Sequence, residues 1–282
     1  MRTQLVRRLG AVAAITLGAL TMTLGPVPSA GATHAWAPAS TATMHPGVQM
    51  VTDGAQCTAN FIFTKGTEVL IGYAAHCAGT GAATDTDGCD AASLPLGTEV
   101  AIDGASQPGS LVYSSWLAMQ SGPRPDANTC AYNDFALVRV DPADHGSVNP
   151  SIPHWGGPNG LNTLGNPTPS KLYTYGNSGL RLGITELSPK TGISLGTTGG
   201  GWSHGAYTVT PGIPGDSGSA LLDATGKASG VLSTVALAPL AGSNNFGDLS
   251  REIAYAQAHG QSGLALALGT VAFDGTKVPL GV

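Results

Sequence analysis

Val69-Leu70-Ile71-Gly72-Tyr73-Ala74-Ala75-His76-Cys77 is an apolar run that ends in a histidine framed by small residues and a cysteine. Its length and composition are those of a strand entering a core. The alanines let the backbone pack closely, and a disulfide at Cys77 would fix where the neighbouring imidazole points. A general base needs such positioning, because it must lie within hydrogen-bond reach of the proton it takes. Taken alone, the segment reads equally well as a structural histidine beside a structural cysteine.

The same texture recurs outward from this run. Stretches at 57–64, 98–102, 110–117 and 135–140 read as short strands between turns rich in Gly, Asp and Pro. Residues 141–169 have little strand pattern and read as a connection. A second set of strands is expected at 171–175, 181–187, 207–210, 219–222 and 230–235. Asp248 and Gly260 bracket one helix as N-cap and stop, and residues 261–282 carry no clear pattern. The chain has 282 residues, 42% of them hydrophobic and only 10% charged, with 41 Gly and 19 Pro. That is ample for a core, and it favours an all-β fold of many short strands over coiled coils or disorder. Lys and Arg number 12 against 17 acidic residues, a net charge of −5. With no basic excess to neutralise phosphates, a nucleic-acid partner is not expected.

Arg2, Arg7 and Arg8 precede an uncharged stretch from Leu9 to Gly25, then Pro26, Pro28 and Ala30-Gly31-Ala32. Residues 1–32 read as a secretory signal peptide cleaved after Ala32. The alternative, a membrane anchor, is disfavoured because the run is short and rich in Ala, Gly and Thr. A secreted, extracellular protein with no membrane association after cleavage is therefore expected. Residues 33–50 read as a flexible leader or short pro-segment. All four cysteines, Cys57, Cys77, Cys89 and Cys130, lie in the exported part, and an even count in an oxidising compartment predicts two disulfides. Three pairings are possible; proximity selects Cys57–Cys77 and Cys89–Cys130.

Two further motifs carry chemistry. In Asn133-Asp134-Phe135-Ala136-Leu137-Val138 a carboxylate leads directly into an apolar run. A buried carboxylate is costly unless hydrogen-bonded, and an imidazole N–H is a suitable partner. The carboxylate would then fix the histidine tautomer and stabilise the imidazolium formed in a reaction. An Asp capping the start of a strand is the plainer alternative. In Pro214-Gly215-Asp216-Ser217-Gly218-Ser219 glycines leave a serine clear of its own backbone. Serine becomes a nucleophile only when a base takes its proton. The amides of Gly215 and Ser217 could point at one spot and receive an oxyanion. A plain Gly-Asp-Ser loop is the alternative in so glycine-rich a chain.

The histidine and aspartate fall in the first β half and the serine in the second, so a cleft between halves is where they would meet. This conjunction, over about residues 51–260, resembles the trypsin/chymotrypsin-like serine peptidases, especially their secreted bacterial members. The resemblance implies two Greek-key six-stranded β-barrels with a C-terminal helix. The first barrel would span residues 51–145; residues 146–282 would hold a linker, the second barrel, the helix and a tail. It implies His76 as general base and acid, Asp134 as its orienting carboxylate and Ser217 as nucleophile. The amides of Gly215 and Ser217 would form the oxyanion hole, and Cys57–Cys77 the bridge behind the histidine. It implies no metal and no cofactor. A monomer acting on protein or peptide substrates is expected.

The chain departs from the family at several points. Tyr73 stands where Thr or Ser is usual, Ser219 and Ala220 replace the usual Gly-Pro, and no cysteine lies near Ser217. Pro211, six residues before the nucleophile, would form an uncharged pocket floor. Ser233, Thr234 and Val235 would line the strand that pairs with substrate. Val235 would stand on the pocket wall where Gly is frequent, favouring small or medium apolar residues before the cut bond. The leader has no obvious Arg or Lys activation site, so Asp216 needs a partner other than the new N-terminus used by animal relatives.

The remaining groups read more plainly. Asp85, Asp87 and Asp90 lie in a Cys-bracketed loop that could offer oxygens to Ca²⁺ but matches no EF-hand, so a solvated acidic loop is the better reading. His204 could line the cleft, and an exposed loop position is the better reading. A secreted serine endopeptidase is the leading function. The alternatives are a catalytically silent homologue that binds through its loops and an esterase using the same triad. An α/β-hydrolase is disfavoured, because Gly-x-Ser-x-Gly is absent at Ser217 and strands do not alternate with helices.

Overall fold

The computed structural model describes residues 34–82, 86–236, 240 and 242–279. Residues 1–32, read from the sequence as a signal peptide, and Asp85 lie outside the described residues. The first half of the chain forms β1 (Gln49–Thr52), β2 (Ala55–Thr58), β3 (Ile62–Lys65), β4 (Glu68–Tyr73), β5 (Glu99–Ile102), β6 (Gly109–Ser114) and β7 (Ala136–Arg139). They pair antiparallel in the order β3-β4-β7-β6-β5-β1-β2.

β2 and β3 end opposite sides of that ladder, yet only residues 59–61 separate them. Ala59 extends the pairing with the chain entering β1, through Gly47 N–H to Ala59 O and Ala59 N–H to Val48 O, both 2.9 Å. Asn60 and Phe61 extend the pairing with β4, through Asn60 N–H to Gly72 O at 2.8 Å and Gly72 N–H to Phe61 O at 3.0 Å. Residues 55–65 are thus one bent strand, and the chain itself closes a six-stranded barrel. The bend demands glycine at position 72, where a Cβ would stand 2.1 Å from Asn60 Oδ1. Ile71, Leu111 and Val138 share one face of this sheet and Phe63 and Leu70 the other; these, with Phe61 and Phe135, are all fully buried. Burying such a side chain contributes roughly 1.5–3 kcal/mol.

The second half forms β8 (Lys171–Tyr175), β9 (Pro189–Thr198), β10 (Ser203–Thr208), β11 (Ala220–Leu222), β12 (Ala228–Ala236) and β13 (Ser243–Asp248), closed in the order β10-β13-β12-β11-β8-β9. Both halves therefore follow one spatial order, first-second-third-sixth-fifth-fourth. The stretch between β6 and β7, where a strand is expected through residue 117, turns helical at Ser115. It holds α1 (Ser115–Gln120) and α2 (Ala127–Tyr132), the latter capped by Asp126, which accepts from the amides of Asn128 and Thr129. The strand expected at 181–187 is a pair of short 3-10 turns, and β9 begins only at Pro189. The C-terminal helix is present as expected: α3 (Leu249–Ala258), capped by Asp248, buries Leu249, Glu252, Ile253 and Ala256.

Residues 34–50 depart from the flexible leader expected of them. Met44 and Met50 are fully buried, the amides of Thr43 and Met44 donate to Ser147 O, and β1 starts at Gln49. Ala, Thr and Pro mask the few apolar residues here that reach the core. The tail also has a place. β14 (Ala265–Leu266) joins the free edge of β3, Thr270 bonds Ser151, and Asp274 N–H donates to Trp155 O. The segment straps both halves. No helix of the described residues is long and apolar enough to cross a membrane. Cys57–Cys77 and Cys89–Cys130 are joined, closing separations of 20 and 41 residues. Each bridge contributes about 3–4 kcal/mol by restricting the unfolded chain.

Candidate active site

β4 runs into a 3-10 turn, Ala75–Ala78, that carries His76. The Cys57–Cys77 bridge ties this turn to β2. Asp134 stands just before β7, nearly buried. One oxygen of its carboxylate accepts the His76 backbone N–H at 2.8 Å; the other accepts from His76 Nδ1 at 2.6 Å and from Ser233 Oγ at 2.6 Å. Two bonds from one residue to one carboxylate leave the imidazole no freedom to turn. Burial works to lower the His76 pKa, but the Asp134 charge and hydrogen bond outweigh it and hold it above its ordinary value. Burial works to raise the Asp134 pKa, and the His76 and Ser233 contacts outweigh that and hold it below the usual range. Tyr73 turns into the core, where its hydroxyl meets Thr52 Oγ1 at 3.1 Å; burial pushes its pKa to about 12.

The serine turn is held from both halves. Gly215 (φ +95°) and Gly218 (φ +87°) have left-handed backbone, and a Cβ at Gly218 would stand 2.5 Å from Thr58 O. Thr58 Oγ1 donates to Gly215 O at 2.7 Å, Gln56 Nε2 donates to the same oxygen at 3.1 Å, and Thr58 N–H donates to Ser217 O at 2.8 Å. The amides of Asp216, Gly218 and Ser219 all have acceptors. Those of Gly215 and Ser217 have none among the described residues. Ser217 is half-buried, and no hydrogen bond joins its Oγ to His76 among the described residues.

His76 and Ser217 line one cleft of about 630 Å³. Gly212, Ile213, Leu232, Ser233, Thr234 and Val235 also line it, as do Gly79, Ala91 and Trp116. His76, Ser217 and the Gly215 turn are thus brought together with three of the four substrate-site residues expected from the sequence.

No family model matches the chain, and no curated protein matches it. Among solved structures, Thermobifida fusca Protease A shares 17% identity at a TM-score of 0.49, over 80% of this chain and 99% of its own. Nocardiopsis protease shares 17% at 0.47, over 79% and 98%. Cellulomonas bogoriensis chymotrypsin shares 18% at 0.47, over 80% and 98%. The chain is similar to bacterial chymotrypsin-like serine proteases.

Pro211 is a correction to the protease-like pocket read from the sequence. It is exposed and does not line the cleft; Gly212 and Ile213 do. Its carbonyl accepts from Lys190 Nζ at 3.1 Å, and Gly212 N–H donates to Asn244 Oδ1 at 3.1 Å. Lys190 belongs to a cluster that satisfies Asp216. That fully buried carboxylate pairs with both terminal nitrogens of Arg181 and, at 2.7 Å, with Lys190 Nζ. It also accepts from the amides of Ser178 and Ile213. Burial raises the Asp216 pKa, and the two cations more than offset this and hold it low. Burial lowers the Lys190 pKa, which its bond to Asp216 only partly restores.

His204 is a second correction. It is fully buried in β10, with Nε2 to Asp248 Oδ2 at 2.8 Å and Nδ1 to Thr197 Oγ1 at 3.0 Å. Asp90 and Asp87 lie in an exposed loop and pair with Arg124, at 2.7 Å and 3.6 Å. Gln56, Thr58, Arg181 and Lys190 were not singled out from the sequence. Each acts on a partner more than twenty residues away, and no local pattern marks them.

Proposed function

We propose that this chain is a secreted serine endopeptidase that hydrolyses peptide bonds in protein or peptide substrates through an acyl-enzyme on Ser217. One observation carries the reading: the 2.6 Å His76–Asp134 bond opens onto a cleft that also holds Ser217 and two backbone amides without acceptors among the described residues. Ser217 Oγ adds to the carbonyl carbon of the scissile bond while His76 Nε2 takes its proton. The carbonyl π pair moves to oxygen and is received by the amides of Gly215 and Ser217, each worth about 10²–10³ in rate. The C–N bond then breaks and His76 gives its proton to the leaving amine. Water, deprotonated by His76, attacks the ester and releases the acid and Ser217. Asp134 stays anionic and stabilises the imidazolium.

The side chain before the cut bond lies against Leu232, Ile213 and Val235, which favours small or medium apolar residues. An Arg-selecting pocket wants a carboxylate, and none is among the described residues lining this cleft. Secretion is supported by the pattern of residues 1–32 and by the two disulfides. A silent homologue is the second reading, favoured by the absence of a Ser217–His76 bond among the described residues; such bonds often tighten only with substrate.

The test is to treat the purified protein with an organophosphonate or sulfonyl fluoride and weigh it intact. A single adduct that is lost in Ser217→Ala and in His76→Ala is expected, with turnover of peptides ending in Ala or Leu. A folded protein with no adduct overturns the reading in favour of the silent homologue. Ester turnover without peptide turnover makes it an esterase.

A further inference from the structure

Beneath the catalytic couple lies a carboxyl group that the steps above do not use. Glu252, on the first turn of α3, is fully buried, and its Oε1 accepts the backbone N–H of Asp134 at 3.4 Å. The carboxyl is pressed onto β13: a Cβ at Gly247 would stand 2.2 Å from Oε1 and 3.2 Å from Tyr132 O. Gly247 has no left-handed backbone to justify a glycine, so the space taken by Glu252 is the reason for it. Glu252 Oε2, Tyr113 Oη and both side-chain polar atoms of Asn133, the residue next to Asp134, are buried without hydrogen-bond partners among the described residues.

The surroundings determine the charge state. No Lys or Arg pairs with Glu252 among the described residues. Asp134 faces it from the segment before β7, Asp248 from the end of β13 and Tyr113 from β6; Tyr255, on its own helix, acts on Tyr113. The two aspartates are each held by an imidazole, His76 and His204. A lone buried carboxylate costs several kcal/mol, and two anionic neighbours add to that. Burial, then Asp134 and Asp248, push the Glu252 pKa far above the ordinary range.

We propose that Glu252 is a positioning residue of the His76–Asp134 couple, an uncharged carboxyl through which the C-terminal helix sets the main chain under Asp134. The inference rests on the peptidase reading. An acid in this state accepts at Oε1 and keeps a hydroxyl donor at Oε2. It fixes where the Asp134 carboxylate stands without adding a second negative charge that would tighten His76 onto its proton.

Three variants of the full chain test it. Glu252→Gln keeps an acceptor and a donor in the same places; it is expected to hold kcat within about threefold and leave the acid limb of the kcat/KM profile in place. Glu252→Leu is expected to lower kcat about tenfold or more at unchanged KM, the cost of a small displacement of the couple. Gly247→Ala displaces the carboxyl without deleting it and is expected to do the same, so it decides the matter should Glu252→Leu not fold. The downfield proton resonance of the His76 Nδ1–H to Asp134 bond is expected to persist in Glu252→Gln and to shift or vanish in the other two.

That resonance needs no turnover. A wild type that takes up no phosphonate sinks the peptidase reading, while the resonance pattern still judges Glu252. Wild-type kcat and resonance in both Glu252→Leu and Gly247→Ala would overturn the inference. So would a fall of the acid limb by about half a pH unit or more in Glu252→Gln, the mark of a charge removed.

Discussion

Thr58 grips the carbonyls of Gly215 and Ser217, the first with its hydroxyl at 2.7 Å and the second with its amide at 2.8 Å. Thr58 belongs to the first barrel and the serine turn to the second. Holding those two carbonyls fixes the Gly215–Asp216 and Ser217–Gly218 peptide planes, which flank the amides of Gly215 and Ser217. Thr58→Val keeps the shape and removes the hydroxyl, leaving Gly215 O to Gln56 and Asn177 N–H without its acceptor. We expect kcat/KM to fall about tenfold or more and stability to fall by about 1–3 kcal/mol. Steady-state kinetics and urea denaturation measure both; an unchanged kcat/KM would show that the turn holds itself.

The pH dependence follows from the Asp134 charge. His76 must be neutral to act as base, and its pKa is raised above the ordinary 6.5. The acid limb of kcat/KM is therefore expected above pH 6.5. In Asp134→Asn the charge that raises the imidazole is gone, so the limb moves to lower pH while kcat drops by about 10⁴. A wild-type limb below 6.5 contradicts the couple as drawn.

The Asp216 cluster has its own pH signature. Asp216 titrates lower in the folded state than in the unfolded chain. Its contribution to stability is complete above the ordinary carboxylate range and is lost as pH falls through the lowered folded value. Arg181→Ala leaves one buried anion with Lys190 alone, at a cost of about 3 kcal/mol near neutral pH. Denaturation of both proteins across the acid range checks it: the gap should close as Asp216 takes up its proton, and a constant gap would assign the loss to packing.

Val235 is 48% exposed on the cleft wall. Removing its side chain in Val235→Gly is expected to raise the ratio of kcat/KM for Phe-ended over Ala-ended peptides by about tenfold, a few methylenes' worth of room. If the ratio stays put, the residue before the cut bond binds elsewhere.

The sequence displays those parts of the site that chemistry confines to short windows. His76 needs small neighbours and a bridge, Ser217 needs flanking glycines, and Asp134 needs a strand that carries it inward; each leaves a mark within six residues. The division into two all-β halves and a terminal helix is legible for the same reason, because short apolar runs and turns are local; the two barrels follow from the family resemblance. What supports the site is not local. Thr58 and Gly215 are 157 positions apart, Glu252 and Asp134 are 118 apart, and His204 and Asp248 are 44 apart. Such pairs leave no period or spacing to find. Counting back from Ser217 does not locate the pocket floor, because Pro211 O is tied to Lys190, 21 positions away, and Gly212 and Ile213 line the cleft instead. The segment 34–50 was misread because two buried methionines among Ala, Thr and Pro do not look like a core.

The edge of β3 is covered by β14, whose Ala265 pairs with Thr64 from far along the chain. A polypeptide growing from its N-terminus must therefore hold its first barrel with one row of backbone N–H and C=O groups bare until β14 arrives. During that interval the half-finished protein offers a ready template for strand addition by a neighbour. Genetic fusions that lengthen or anchor the C-terminal segment would be felt first in yield rather than in catalysis.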